Sequence, residues 1–378
     1  MEPDIRRLSN RFEELVKIDS PSRDEGALCA WLKEYFSGLG FEVIEDKTHV
    51  KTGSKSGNLV VRIPGTKNVP PLFFNAHMDT VEPGRGIRPI FKNGVFSTDG
   101  STILGSDDKA AIAVLIEVIN ILKEHKVAHG PVEFLFTVCE EIGLLGAKAF
   151  DPALLEARAG YALDSTNPDV LITAAPAAIR FHLKVTGKSA HAGIRPEDGI
   201  NAIKIAARAL SIIPLGRIDD ETTANIGVIR GGNATNIVPD NVDMDGEVRS
   251  HSPKRLREIQ DEIIGCFHNV ASEFRKDGKD PLPVIHAEVM DDYPAMSIPD
   301  DHQLVKAAVD AAKALGRNIS TGKTGGGSDA NIFNGKGLST VIMGIGMQKV
   351  HTTSECIRLD DMVGACRLVL EIIKGWGG

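Results

Sequence analysis

Ile5, Leu8, Phe12, Leu15 and Val16 recur close to a 3.6-residue period, which predicts an amphipathic helix over residues 4–18. Leu28, Leu32 and Phe36 predict a second helix, opened by a capping-box pattern of Ser22 with Glu25 and ended by Gly38 and Gly40. Short apolar runs over 41–44, 59–63 and 71–77 read as strands, the last delivering Asn75-Ala76-His77-Met78-Asp79. Residues 81–106 are rich in glycine and turn formers and read as a loop region with short strands. The stretch 110–122 is almost wholly apolar and predicts a buried helix, with Asp107 at or just before its N-terminus and Asp108 as N-cap or first-turn acid. Two more apolar strands, 132–138 and 161–164, end in Cys139-Glu140-Glu141 and in Asp164. Functional sites in open α/β sheets form at the carboxyl ends of strands, so three such ends carrying His and acids mark a candidate site.

The rhythm changes between 176 and 293. Alternating apolar positions over 179–185 predict a half-exposed strand, followed by a helix (199–213), strands (222–230 and 242–249), a helix after Ser252-Pro253, and a strand (283–290). That β-α-β-β-α-β order is the order of a ferredoxin-like unit. The chain therefore divides into an α/β domain built from 1–175 and 294–378, and an inserted α+β domain over 176–293. The last segment returns to a helix (302–315), a glycine-rich loop (325–327), a strand (340–344), a loop with His351, and a final helix (360–374).

A chain of 378 residues with 42% hydrophobic and 25% charged residues suits two globular domains. The net charge of −8 argues against nucleic acid and against anionic membranes as main partners. No run approaches the roughly 20 apolar residues of a membrane span. The charged start lacks the apolar core of a signal peptide, and five scattered cysteines form neither a disulfide framework nor a CxxC zinc site. The expected location is the cytoplasm.

His77, Asp107, Glu141, Asp164 and His351 each stand at the end of an element. Two imidazoles and three carboxylates suit two borderline divalent ions such as zinc, with one carboxylate bridging, and cobalt or manganese fits the same donors. Such a site also needs a base that is not a ligand, and Glu140 beside Glu141 is the candidate. Asp79, two residues beyond His77, can hold the other imidazole nitrogen.

The set HMDT, GSDDKA, CEEIG, ALDS, GKSAHAG and VHTTSE, in that order over essentially the whole chain, resembles the M20 family of dinuclear metallopeptidases, and its peptidase T-like (tripeptidase-like) branch in particular. The resemblance implies a zinc-exopeptidase-like α/β catalytic domain interrupted by a ferredoxin-like lid that often mediates dimerisation. It implies that His77, Asp107 and Asp164 hold one ion, and that Asp107, Glu141 and His351 hold the other. Asp79 would orient His77, and Glu140 would be the general base. In the lid, His191 would help stabilise the oxyanion, and Asn236 and Arg249 would hold polar groups of the substrate; an arginine grips a carboxylate with two parallel bonds. Gly325-Gly326-Gly327-Ser328-Asp329 could offer backbone N–H groups to a substrate carboxylate.

The expected activity is an exopeptidase that releases the N-terminal residue of short peptides, tripeptides above all. The same motifs also fit a carboxypeptidase, a dipeptidase or an N-acyl-amino-acid deacylase, since all cleave an amide beside a charged terminus. A metal-binding assembly protein without catalysis is the remaining alternative.

Overall fold

The computed structural model describes residues 1–275 and 281–377. It divides into two compact units, one formed by Met1–Ala174, Ser297–Thr324 and Ser328–Gly378, the other by Ala175–Met296 with Gly325–Gly327.

The first unit is built on a mixed sheet. Strand by strand its order is Glu42–Glu45, Leu59–Ile63, Val132–Thr137, Leu72–His77, Ala159–Ser165, Ser339–Gly344 and Val170–Ala175, with Ser320–Lys323 alongside the last. The four strands from Val132–Thr137 to Ser339–Gly344 run parallel to one another. Leu72–His77 and Val132–Thr137 are buried at every position, as expected for central parallel strands covered on both faces. The 106–124 helix is apolar along nearly its whole length because it lies inside, packed against the Ile5–Val16 and Leu359–Gly375 helices and the sheet. Phe36, Phe74, Phe134, Phe136 and Tyr161 form a chain of aromatic contacts across the core, with ring centroids 5.5–6.4 Å apart. A small separate sheet, Ile90–Lys92, Val95–Ser97 and Ile357–Arg358, lies within the turn-rich region and ties it to the segment after His351.

The second unit is an antiparallel sheet ordered Gly216–Asp219, Thr222–Gly231, Asn241–Ser250, Ala177–Thr186, Val284–Tyr293. Without the short first strand, chain order across the sheet is second, third, first, fourth, which is the ferredoxin-like arrangement. The Ala202–Leu210 and Pro253–Glu273 helices bury Ile205, Ala206, Ile259, Ile263 and Phe267 against Phe181, Leu183, Val242 and Met244 in a core of its own. Ser252 caps the second of these helices through Arg255 N, with Pro253 at its first position.

One local expectation fails and another holds only in part, and both lie near the proposed site. Ser22 and Glu25 do not form a capping box: the helix runs Gly26–Gly38 with no side-chain cap. Ser22 Oγ instead donates to Asp79 Oδ2 (2.7 Å), and the buried Glu25 carboxylate accepts from Arg23 N, Ser54 Oγ and Cys139 N. Asp108 stands in the first turn of its helix, one of its two expected places, but it is no N-cap: its backbone is non-helical, its side chain is fully buried, and Oδ2 accepts the His77 backbone N–H (3.2 Å). No helix among the described residues is long and apolar enough to cross a membrane.

Candidate active site

The four adjacent parallel strands end side by side, and each end carries chemistry. Leu72–His77 ends in His77 itself, Val132–Thr137 runs into Cys139-Glu140-Glu141, and Ala159–Ser165 contains Asp164 one residue from its end. The chain beyond Ser339–Gly344 brings His351, and Asp107 comes from the start of the buried helix.

The side chains converge. His77 Nε2 is 3.0 Å from Asp107 Oδ1, and His351 Nε2 is 3.2 Å from Asp107 Oδ2 and 2.9 Å from Glu141 Oε2. Ligand atoms of His77, Asp107 and Glu141 lie within 4.8 Å of one another. Asp107 is thus in reach of both imidazoles. Asp164 shows its proximity through electrostatics: burial pushes its carboxyl well above the ordinary value, and repulsion from Asp107 and Glu141 adds to the rise. Burial likewise raises Glu141, against the pull of His351. For Asp107 burial acts upward too, but His351 and His77 outweigh it and hold the carboxyl below the usual range. Burial opposes protonation of His77, yet Asp107 and Asp79 win and its pKa is raised well above 6.5.

Asp79 is fully buried and organises two strand ends at once. Its carbonyl oxygen is 2.9 Å from His77 Nδ1, while its carboxylate stands 3.6 Å from that nitrogen. If Nδ1 donates to this carbonyl, Nε2 keeps its lone pair for a ligand. The carboxylate itself accepts Glu140 N (2.8 Å), Glu141 N (3.2 Å) and Ser22 Oγ. Cys139 takes up a left-handed φ of 54° immediately before the acid pair, and Glu25 holds both its N–H (3.0 Å) and its thiol (3.2 Å). This turn separates the two acids. Glu141 Oε2 goes to His351, whereas the Glu140 carboxyl, half-buried, is pushed well above the ordinary carboxylate value by desolvation and by repulsion from Asp164 and Asp329.

Three buried acids around this site were not among the sequence candidates: Glu25, Asp329 and Glu355. Asp329 Oδ2 accepts from Thr137 Oγ1, and burial raises its carboxyl to about 6. Glu355 accepts four hydrogen bonds from residues 104–107. Glu355 had a visible signal, since it ends the VHTTSE segment four residues after His351.

The remaining candidates lie in or beside the second unit. His191 and Asn236 occupy neighbouring loops, joined by a bridge between His191 and Ile237 and by Ala192 N donating to Asn236 O (2.9 Å). The exposed His191 ring accepts the Gly193 N–H at Nδ1 (3.2 Å), so the neutral ring carries its proton on Nε2 and presents a donor. Arg249, half-buried on Asn241–Ser250, is held by both oxygens of Glu247 (2.9 and 3.1 Å), which leaves Nη1 outside that pair. In the glycine loop, a Cβ at Gly327 would stand 2.4 Å from the Tyr293 ring, so glycine there permits close packing.

The sequence profile of peptidase family M20/M25/M40 matches residues 73–375. The chain is 43% identical over 370 residues to Uncharacterized protein YqjE from Bacillus subtilis (strain 168), covering 98% of both. Among solved structures it resembles aminopeptidase PepT from Bacillus cereus ATCC 10987, with 42% identity, 98% of each chain covered and a TM-score of 0.91. It also resembles a tripeptidase from Staphylococcus aureus subsp. aureus Mu50, with 40% identity, 99% of each chain covered and a TM-score of 0.94. The chain belongs to peptidase family M20/M25/M40, on its peptidase T-like side.

Proposed function

We propose that this protein is a metal-dependent exopeptidase that releases the N-terminal residue of tripeptides, with two divalent ions, zinc in the first place, held by His77, Asp107, Glu141, Asp164 and His351. The observation that carries this reading is the convergence on Asp107 of two imidazoles, His77 from the end of one parallel strand and His351 from the loop beyond another. The donors fit divalent cations on two further counts. Glu141 Oε1 is buried without a hydrogen-bond partner, and Glu141 and Asp164 have carboxyls that burial and mutual repulsion push upward, a set of like charges that a cation would neutralise. By resemblance, His77, Asp107 and Asp164 would serve one ion and Asp107, Glu141 and His351 the other, with cobalt or manganese also suited to these donors.

Bound divalent ions supply Lewis acidity, which activates water and polarises a carbonyl. The protein's own groups do the rest. Glu140 takes a proton from the attacking water and hands it to the leaving amine, a role suited to a carboxyl whose burial raises its basicity. Asp79 keeps His77 oriented and fixes the acid pair from behind. His191 would donate from Nε2 to the developing oxyanion, and Asn236 and Arg249 would hold polar groups of the peptide. The second unit would act as the lid and as the surface of a homodimer, and the protein would work in the cytoplasm.

One simple tripeptide and its N-acetylated twin test the reading, with products identified by mass. Cleavage of the free peptide alone, releasing its first residue, is expected. Loss of acetate or of the C-terminal residue from the acetylated twin would make the protein a deacylase or carboxypeptidase instead. A metal-loaded protein inert to both would leave the non-catalytic alternative.

Metal uptake should also be pH-dependent. Asp107 and Glu141 raise the His351 imidazole from 6.5 to about 10 in the metal-free protein, so at pH 7 it carries a proton. Since the folded pKa is raised, the stability this proton contributes is full below pH 6.5 and is lost as pH climbs through about 10. The ring is half exposed, so that contribution is small. The proton must leave for His351 to bind metal, so uptake should release it and apparent affinity should strengthen by up to about tenfold per pH unit between pH 7 and 9. Calorimetry in buffers of different ionisation enthalpy checks this; pH-independent uptake without proton release would remove His351 from the ligand set.

A further inference from the structure

Glu355 is almost fully buried, at 1% exposure, and is not part of the converging donor set. Its oxygens divide their work. Oε2 accepts Leu104 N (2.8 Å) and Gly105 N (2.9 Å), and Oε1 accepts Ser106 Oγ (2.5 Å) and Asp107 N (3.1 Å). All four donors belong to the segment that delivers Asp107, about 250 residues earlier in the chain. Glu355 itself closes the loop that carries His351: Glu355 N donates to Thr352 O, and Gln348 and Cys356 pair across the stem (2.9 and 3.1 Å). His351 has a left-handed φ of 61°, which a non-glycine residue keeps only where its surroundings enforce it. Its imidazole then meets Asp107 at 3.2 Å.

We propose that Glu355 is a positioning residue that clasps the His351 loop to the Asp107 segment and so sets the affinity of the ion these two residues share with Glu141. The proposal rests on the metal reading above. Glutamine at 355 has the right shape but the wrong polarity. Turned one way, its NH2 group faces two backbone N–H groups; turned the other, it faces the Asp107 N–H beside the Ser106 hydroxyl, which can rotate to accept, so at least one backbone N–H loses its acceptor either way. The clasp must then open or twist, and the His351–Asp107 spacing moves with it, while the His77 ring is held separately by the Asp79 carbonyl.

The test is cobalt titration of metal-free wild type and Glu355→Gln, followed by calorimetry and by the visible absorption of bound cobalt, with circular dichroism and a thermal melt to confirm folding. Wild type should take up two equivalents. Glu355→Gln should keep one near wild-type affinity and bind the other about 10–100-fold more weakly, the range found when a partner behind a ligand is lost. Its activity should return at high metal concentration with KM unchanged, which a merely misfolded variant would not show. A folded Glu355→Gln that binds both equivalents as wild type does, or that weakens both equally, overturns the proposal. Should Glu355→Gln fail to fold, Ser106→Ala carries the test by removing one of the four donors. A few-fold weakening of one equivalent only is then expected, and unchanged affinities overturn the proposal. Wild type that binds no cobalt would remove the metal reading itself, and this inference with it.

Discussion

A Glu140→Gln protein is expected to keep its metal and its affinity for tripeptide and to lose turnover by about 10²–10⁴-fold, the usual worth of general acid–base catalysis. Glutamine preserves the side chain's size, and the backbone contact that fixes the turn, Glu140 N to Asp79 Oδ1 at 2.8 Å, does not involve the side chain. What disappears is the capacity to accept a proton and return it. The substitution also removes a half-buried acid that Asp164 and Asp329 repel. A carboxyl raised in the fold weakens the folded state at every pH above its unfolded value, because its ionised form is paid for only there. Metal-free Glu140→Gln should therefore melt no lower than metal-free wild type at pH 7. Turnover, bound metal and melting temperature together separate the possibilities: retained turnover assigns the base elsewhere, and lost metal makes Glu140 a ligand.

Much of the fold was visible in the apolar pattern. Strands 71–77 and 132–138 declared themselves because central buried strands are mostly apolar, and the His or acids at their ends then stood out. The second unit was legible for a different reason, since half-exposed strands alternate and its two helices carry clear caps or breaks. The buried carboxylates outside the candidate set were not legible. Glu25, Asp108, Asp329 and Glu355 look like surface acids in sequence, and acids are exposed by default. Their burial depends on donors supplied from far along the chain, as when residues 104–107 surround Glu355. Ser22 and Glu25 show how this misleads. Their spacing imitates a helix cap, but each side chain has a stronger claim on it, from Asp79 in one case and from Ser54 and Cys139 in the other. Glu355 lay inside a segment that already drew attention for His351, so proximity to a named ligand was a better guide than its own pattern.

Asp107→Asn should have the largest effect of any single substitution at the donor cluster: fewer than one equivalent of metal at concentrations where wild type holds two, and a fall in activity of at least about 10³-fold. Asp107 touches both imidazoles, with Oδ1 3.0 Å from His77 Nε2 and Oδ2 3.2 Å from His351 Nε2. Asparagine has one oxygen, so one of those directions would be met by an NH2 group, and the charge on which both proposed ion positions depend would be gone. The two remaining proposed carboxylate ligands, Glu141 and Asp164, are the ones that burial makes reluctant to ionise, whereas the two histidines hold Asp107 ionised. The backbone placement should survive, because Glu355 grips Asp107 through its N–H. His351→Ala is the matching control: it should cost one equivalent and leave the other on His77, Asp107 and Asp164. If Asp107→Asn loses one equivalent and no more, Asp107 serves a single ion; if it loses none, the converging imidazoles are a proton-bound cluster and the metal assignment falls.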